Sequence, residues 1–242
     1  MHRLDLTLHP SPPAENLALD EVLLDLAEAG PGGEILFFWE PREVFVVVGY
    51  ANKVSTEVNL AACEKRGIPV FRRCSGGGTV VQMPGGLNYG LILGINEQGP
   101  TRNITAANQY IMEKNRAAIQ KLLPYATLTV RGHTDLCLGD VKFAGNSQRR
   151  RKHFLLFHGT LLLDCDLELI SELLPLPSLQ PDYRASRPHS QFVTNLNLPA
   201  ADVKQALIEA WNAAAELPHP PLKEINALAR EKYATREWNF KF

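Results

Sequence analysis

Apolar residues recur along this chain at two spacings, and the changes between them mark the predicted elements. Residues 14–29, AENLALDEVLLDLAEA, place Leu19, Val22, Leu23 and Leu26 on one helical face. Pro12 and Pro13 precede this helix and Gly30 follows it, as start and stop signals do. EILFFWE (34–40) and VFVVVGY (44–50) are predicted strands divided by a turn at Pro41-Arg42. A short helix over 59–67 is capped by Asn59 and ended by Gly67. IPVFRR (68–73) and LNYGLILGI (87–95) are strands, and a longer helix over 103–123 stops before Pro124. TLTVR, DLCLG and VKFAG (127–145) form short strands in succession, and FLLFHGTLLLD (154–164) forms a strong one. Residues 166–174 are helical, opened by Asp164 or Asp166, and a proline-rich irregular stretch covers 175–200. Helices near 201–216 and 221–234 complete the pattern. Strand runs broken by helices predict an α+β fold with mixed or antiparallel sheets. No composition break divides the chain, so 1–242 is expected to form a single domain.

Composition narrows the function classes. The 242 residues suffice for a proper core, and the net charge of −1 gives no global attraction to nucleic acid or anionic membrane. No segment approaches the roughly 18 consecutive apolar residues of a membrane helix. The opening MHRLDLTLHPSPP lacks the apolar core of a secretory signal. Cys63, Cys74, Cys137 and Cys165 have no zinc-type spacing and suggest no disulfide framework, so a cytoplasmic location is expected.

Two segments carry candidate chemistry. In RRCSGGGTVVQMPGG (72–86), the consecutive glycines Gly76, Gly77 and Gly78 weaken any strand they enter. That cost is reasonable where backbone N–H groups must approach a carboxylate or phosphate closely. A glycine-rich bulge or hairpin turn is the alternative. Strand alternation points Arg72 and Arg73 to opposite faces, so one of them reaches the loop. The stretch is neither a Walker loop nor a dinucleotide fingerprint. In GDVKFAGNSQRRRKHFLLFHGTLLLD (139–164), Lys142 sits in an apolar run, where it either meets a phosphate or carbonyl or guards a sheet edge. Gly145, Asn146 and Ser147 are expected to form a turn, and RRRKH (149–153) a solvated hairpin tip. His158, taken alone, reads as a satisfied core histidine rather than a catalyst.

Together these pieces resemble the lipoate–protein ligase A family, within the superfamily shared with biotin ligases and octanoyltransferases. The segments that carry the resemblance are NLALDE (16–21), RRCSGGGTV (72–80), LNYGLIL (87–93), GHTDL (132–136), VKFAGNSQRR (141–150), HGTLLLD (158–164) and EKYATREWNF (231–240). Their order covers nearly the whole chain. The resemblance implies a catalytic domain like that of class II synthetases and biotin ligases, with sheets flanked by helices. It implies activation of lipoate or octanoate by ATP and Mg²⁺ to an acyl-adenylate, then transfer to a lysine of an apo lipoyl carrier domain. By the same resemblance Arg73, Ser75, Gly76, Gly77 and Gly78 cradle the acyl-adenylate, and Lys142 contacts the acyl carbonyl and phosphate. Asp135 corresponds to an acidic position near the adenylate and metal. His158 and Thr160 line the nucleotide or acyl pocket, and Asn88 supports the loop. The strands around 44–50 and 87–93 would enclose the acyl tail.

The chain departs from the family pattern in places. Gln82 stands where the family has a histidine after its glycine loop, which removes a titratable group. Thr134 replaces an asparagine in GHTDL. Many bacterial ligases carry a further C-terminal domain beyond the length seen here, so a separate accessory protein is a possible partner. Octanoyltransferases instead use a cysteine and an acyl-carrier thioester. In one branch the cysteine falls where this chain has Arg131 to His133; in another it follows the H-G-T strand, where this chain has LLPLPS. Cys74 and Cys137 fall on neither position and read as small packing residues. The ligase reading is therefore preferred to a transferase, and a non-catalytic adenylate- or carrier-binding protein is the third reading.

Overall fold

The computed structural model describes residues 1–7, 11–30 and 33–242. In chain order the elements begin with β1 (His2–Asp5), α1 (Pro13–Ala29), β2 (Ile35–Trp39), β3 (Phe45–Val48), α2 (Val54–Glu57), α3 (Leu60–Arg66) and β4 (Val70–Arg72). They continue with β5 (Val80–Gln82), β6 (Gly86–Gly94), α4 (Ile104–Gln120), β7 (Leu128–Arg131), β8 (Asp135–Leu138), β9 (Val141–Arg150) and β10 (Phe154–Leu162). The last are α5 (Glu168–Leu173), α6 (His189–Phe192), α7 (Ala200–Trp211), β11 (Ala215–Glu216), α8 (Leu222–Leu228), a π-turn over Ala229–Tyr233, and α9 (Arg236–Asn239). This is an α+β fold with mixed sheets flanked by helices.

An eight-stranded sheet runs in the order β11-β1-β2-β6-β10-β9-β8-β7, and β4-β3-β5 form a smaller three-stranded sheet. β1 pairs in parallel with both β11 and β2, whereas β2 through β7 are joined by antiparallel pairings. Period-two alternation sorts β2 between two cores. Leu36 and Phe38 pack with α4 and α7 on one face, while Ile35, Phe37 and Trp39 pack with α1 and the small sheet on the other. All five residues are buried because both faces are covered. The third core joins the small sheet to α3 and α5.

Local signals account for several element ends. The Asn59 side chain accepts the Ala62 N–H at 3.2 Å, and Gly67 ends α3 at φ +65°. Asn103 caps α4 by the same bond to Ala106 N–H at 2.9 Å. Asp166 accepts from Glu168 N–H beside α5. Among the described residues no helix is long and apolar enough to cross a membrane.

Other expectations need correction. Gly145, Asn146 and Ser147 are not a turn but lie within β9, paired with Thr160, Gly159 and His158 of β10. The register holds because Gly159 has no side chain: a Cβ there would collide with the Asn146 amide. The hairpin tip is consequently shorter, and Arg149 and Arg150 belong to the strand. The basic run is not free at that tip. Arg149 and Arg151 face Glu21, Arg151 also bonds Asp25 at 2.7 Å, and Glu28 accepts backbone N–H bonds from 152–154. Leu26 is exposed at 37%, while Leu23, Leu24 and Ala27 are fully buried, because Leu26 lies off the core-facing stripe of α1. Lys142 on β9 lies between Cys137 of β8 and Val193, with which it forms a bridge, and so is not on a sheet edge.

Candidate active site

A pocket of about 120 Å³ opens between α1, the small sheet and β6, β9 and β10. Leu17, Trp39, Val47 and Tyr89 form its apolar side, and Arg73, Lys142, His158 and Thr160 its polar side. Next to it a larger groove of about 830 Å³ runs past Gly77, Thr79 and Lys142 to residues 132–135 and the irregular 175–192 segment.

The glycine loop joins β4 to β5. Gly76, Gly77 and Gly78 are exposed, and Gly77 has φ +85°, where a side chain would be strained. A Cβ at Gly76 or Gly78 would meet nothing within 4 Å. The two arginines before the loop do turn to different places. Arg73 folds under it, its Nη2 donating to Gly76 O at 2.5 Å and Gly78 O at 2.7 Å. Burial lowers the pKa of this guanidinium to about 10. Arg72 is fully buried and donates to Gly49 O, Tyr50 O, Asn52 O, Trp238 O and Asn239 O. It ties the C-terminal segment to the turn after β3. That turn in turn supports the loop, since Tyr50 N–H donates to Ser75 O at 2.8 Å.

Ser75, His158 and Asp20 form a hydrogen-bonded chain. Ser75 Oγ lies 2.5 Å from His158 Nε2, and His158 Nδ1 lies 2.7 Å from Asp20 Oδ2. Asp20 on α1 was not singled out in the sequence. The available signal was a carboxylate next to Leu19 on a buried helical face; Asp20 is only 2% exposed.

At the other end of the pocket Lys142 Nζ pairs with Asp135 Oδ1 at 2.7 Å, and Tyr183 OH donates to Asp135 Oδ2 at 2.7 Å. Burial and the Asp135 carboxylate push the Tyr183 hydroxyl far up. Arg184 is 4% exposed, its guanidinium stacked over Phe192 at 4.5 Å with Nη2 lacking a hydrogen-bond partner. Burial lowers the neighbouring His189. Tyr183, Arg184 and His189 come from the proline-rich stretch, where periodicity carries no positional information.

Gln82 and Asn88 exchange amide bonds at 2.8 and 2.9 Å, and Thr160 Oγ1 donates to Asn88 Oδ1 at 2.6 Å. Glutamine thus closes a neutral buried network at this position. Thr134 Oγ1 donates to Asn146 O while Asn146 Nδ2 donates to Thr134 O, each at 2.7 Å. Thr134 therefore braces β9.

Asp135, the carboxylate expected beside the metal, has one oxygen paired with Lys142 and the other bonded by Tyr183 OH. Among the described residues no three His, Cys, Asp or Glu side chains gather as a metal cage; a Mg²⁺ that arrives with a nucleotide takes one or two carboxylates and the substrate phosphates instead.

None of the cysteines is poised as a thiolate. All four are buried. Burial raises Cys74 to about 12 and Cys165 to about 11, and pushes Cys63 and Cys137 up as well. Cys137 also contacts Tyr183 OH.

The lipoyl protein ligase A/B catalytic domain matches residues 12–212. The chain belongs to that family. It is 27% identical to octanoyltransferase LipM of Geobacillus kaustophilus, across 95% of each chain. It is 26% identical to lipoate-protein ligase A subunit 1 of Thermoplasma acidophilum, across 98% of this chain and 95% of that one. A solved lipoate-protein ligase A bound with ATP superposes with TM-score 0.78 at 26% identity, covering 99% of this chain and 98% of the other. The fold is thus that of the lipoyl ligases, and the family unites ligases with octanoyltransferases.

Proposed function

We propose that the chain is an ATP-dependent lipoate–protein ligase, acting on lipoate or octanoate and on a lysine of an apo lipoyl domain. The observation that carries this reading is the state of the thiols. A cysteine-dependent transferase needs an accessible thiolate, and every cysteine here is buried with its pKa raised. The region of one transferase cysteine holds Gly132 instead.

In this reading the acyl carboxylate attacks the α-phosphorus of ATP and pyrophosphate leaves. The carrier lysine amine then attacks the acyl carbonyl and AMP leaves. Lys142 supplies positive charge where the carboxylate and phosphate meet, and the open glycine N–H groups bind the phosphate oxygens. Arg73, beneath the loop, keeps those peptides in place by holding their carbonyl oxygens. His158, Thr160, Asn88 and Gln82 form the polar wall, with Ser75 bonded behind His158 and Leu17, Trp39 and Val47 accepting the tail. Each CH₂ buried there is worth about 0.8 kcal/mol. Arg184 lines the groove and adds positive charge beside the nucleotide. The catalytic unit is taken to span 1–242. An accessory protein is a candidate partner, since a solved Thermoplasma acidophilum relative is described as a bi-partite ligase with its E2 lipoyl domain.

The second reading, transfer from an acyl-carrier thioester, is favoured by the likeness to LipM. Intact mass of an apo lipoyl domain separates the two. One tube holds lipoate with and without MgATP, and a parallel tube holds octanoyl carrier protein without ATP. ATP-dependent gain of a lipoyl group supports the ligase. Gain only from the octanoyl carrier overturns it.

A further inference from the structure

A run of glycines has little order of its own, so the shape of the 76–78 loop must come from what surrounds it. Behind the loop lies the segment 229–242. The fully buried Arg72 guanidinium uses all three nitrogens, and its partners fall into two groups. Nη1 donates to Gly49 O, Tyr50 O and Asn52 O of the turn after β3, at 2.9, 3.0 and 2.8 Å. Nε and Nη2 donate to Trp238 O and Asn239 O, each at 3.1 Å. The main chain of Arg72 is held as well: Asn239 Oδ1 accepts its N–H at 2.9 Å, and Trp238 Nε1 donates to its carbonyl at 2.8 Å. Asn239 Nδ2 donates to Tyr233 O at 2.8 Å, and the buried Tyr233 OH donates to Glu21 of α1 at 2.7 Å. From the turn, two contacts reach the loop. Tyr50 N–H donates to Ser75 O at 2.8 Å, and Gly49 packs so tightly on Gly77 O that a Cβ at 49 would collide with it.

We propose that residues 229–242 brace the glycine loop in its binding shape, with Arg72 as the positioning residue that passes the constraint from segment to turn and from turn to loop. The proposal rests on the reading of this loop as the acyl-adenylate cradle. Arg72 itself lines neither the pocket nor the groove. Its planar fork suits this task, because a lysine ammonium in its place would be a single point of donation unable to span both groups of carbonyls. With the brace loosened, only a fraction of molecules would hold the loop in its binding shape. Apparent affinity for the nucleotide then falls by that fraction, while the chemistry of the bound complex is spared. A segment that only adds stability predicts something else: a lower melting temperature, with unchanged kinetic constants for the folded protein.

The test uses the full chain carrying Asn239→Ala, which removes the bonds to Arg72 N–H and Tyr233 O. Leu207→Ala is the control for lost stability, since it opens a cavity in the separate core beneath α4 and α7. Amide hydrogen exchange of the free protein is followed at Tyr50 and Arg73, whose N–H groups bond Ser75 O and Val48 O. Asn239→Ala should speed exchange at both by about tenfold, with β6 and β10 unchanged. Leu207→Ala should lower the melting temperature and leave both amides as they were. In lipoyl transfer with MgATP, Asn239→Ala should raise KM for ATP about tenfold and keep kcat within about threefold. Unchanged exchange in Asn239→Ala overturns the proposal, as does an equal rise in Leu207→Ala or a fall in kcat at constant KM. If Asn239→Ala does not fold, Trp238→Phe decides, because it removes the Nε1–H bond to Arg72 O and keeps an aromatic ring. Faster exchange at Tyr50 and Arg73 then supports the brace, and unchanged exchange overturns it. Exchange is read without ATP or lipoate, so the brace can fail where the ligase reading stands, and the reverse.

Discussion

At the loop end of the pocket Ser75, His158 and Asp20 are buried and bonded to one another, with Arg73 beneath. At the lysine end Lys142 pairs with Asp135 on the wall of an open groove, its side chain 27% exposed. A buried chain of this kind is part of the fold, because loss of a member leaves polar atoms unsatisfied at about 1–3 kcal/mol each. A partly exposed ion pair contributes about 1 kcal/mol or less. The two ends should therefore respond differently to substitution: one through stability and chemistry together, the other through chemistry alone.

The largest effect that tests this contrast is expected from Lys142→Ala. Lipoyl transfer should fall by about a hundredfold to a thousandfold, with the melting temperature nearly unchanged. Near-normal transfer would remove Lys142 from the mechanism and leave its pair with Asp135 as mere surface electrostatics. Gly77→Val comes next. The residue sits at φ +85° and 3.0 Å from Arg73 Nη2 at its Cβ position, so both loop geometry and nucleotide access suffer. Calorimetry should detect no acyl-adenylate binding, and unchanged affinity would contradict the loop's assignment.

A smaller effect concerns acid. Burial opposes ionisation of Glu21, yet hydrogen bonds from Lys232 and Tyr233 and the charges of Lys232 and Arg149 hold its pKa below the ordinary 4.5. A carboxylate lowered on folding stabilises the protein above its unfolded pKa, and that contribution is lost as pH falls through the folded one. Glu21→Gln should therefore melt below the wild type near neutrality, with the gap closing below about pH 4.5. A gap independent of pH would show that packing, not charge, makes Glu21 matter. The smallest effect is expected from replacing Cys74 and Cys137 together by Ala. Lipoyl transfer should persist, and loss of transfer with normal stability would restore a cysteine route.

Much of this arrangement is legible in the chain. The apolar runs 35–39 and 154–162 lie within the predicted strands and 86–94 matches its prediction to within one residue, because strands covered on both faces have nearly continuous apolar sequences. The caps at Asn59 and Asn103 depend only on neighbours three residues away, as do their bonds. β1 and β5 escaped notice. Both are too short for a period, and they exist because β2, β11 and β3 offer ladder partners. The expected turn at 145–147 failed for the same kind of reason: Gly, Asn and Ser favour turns locally, but the β10 ladder prevails.

The clearest division lies between two adjacent residues. Alternation alone separates Arg72 from Arg73. It could not say that Arg72 would bind five backbone carbonyls from the 49–52 turn and the C-terminal segment, or that Arg73 would fold beneath its own loop. By itself the sequence determined the α+β class, the glycine loop, Lys142 in its apolar strand and the family likeness, because these rest on local spacing and residue type. Only the tertiary structure decided that Asp20 meets His158, that His158 meets Ser75, and that Lys142 and Tyr183 both engage Asp135. Those contacts join residues up to 138 positions apart, and short-range patterns contain no term for such distances.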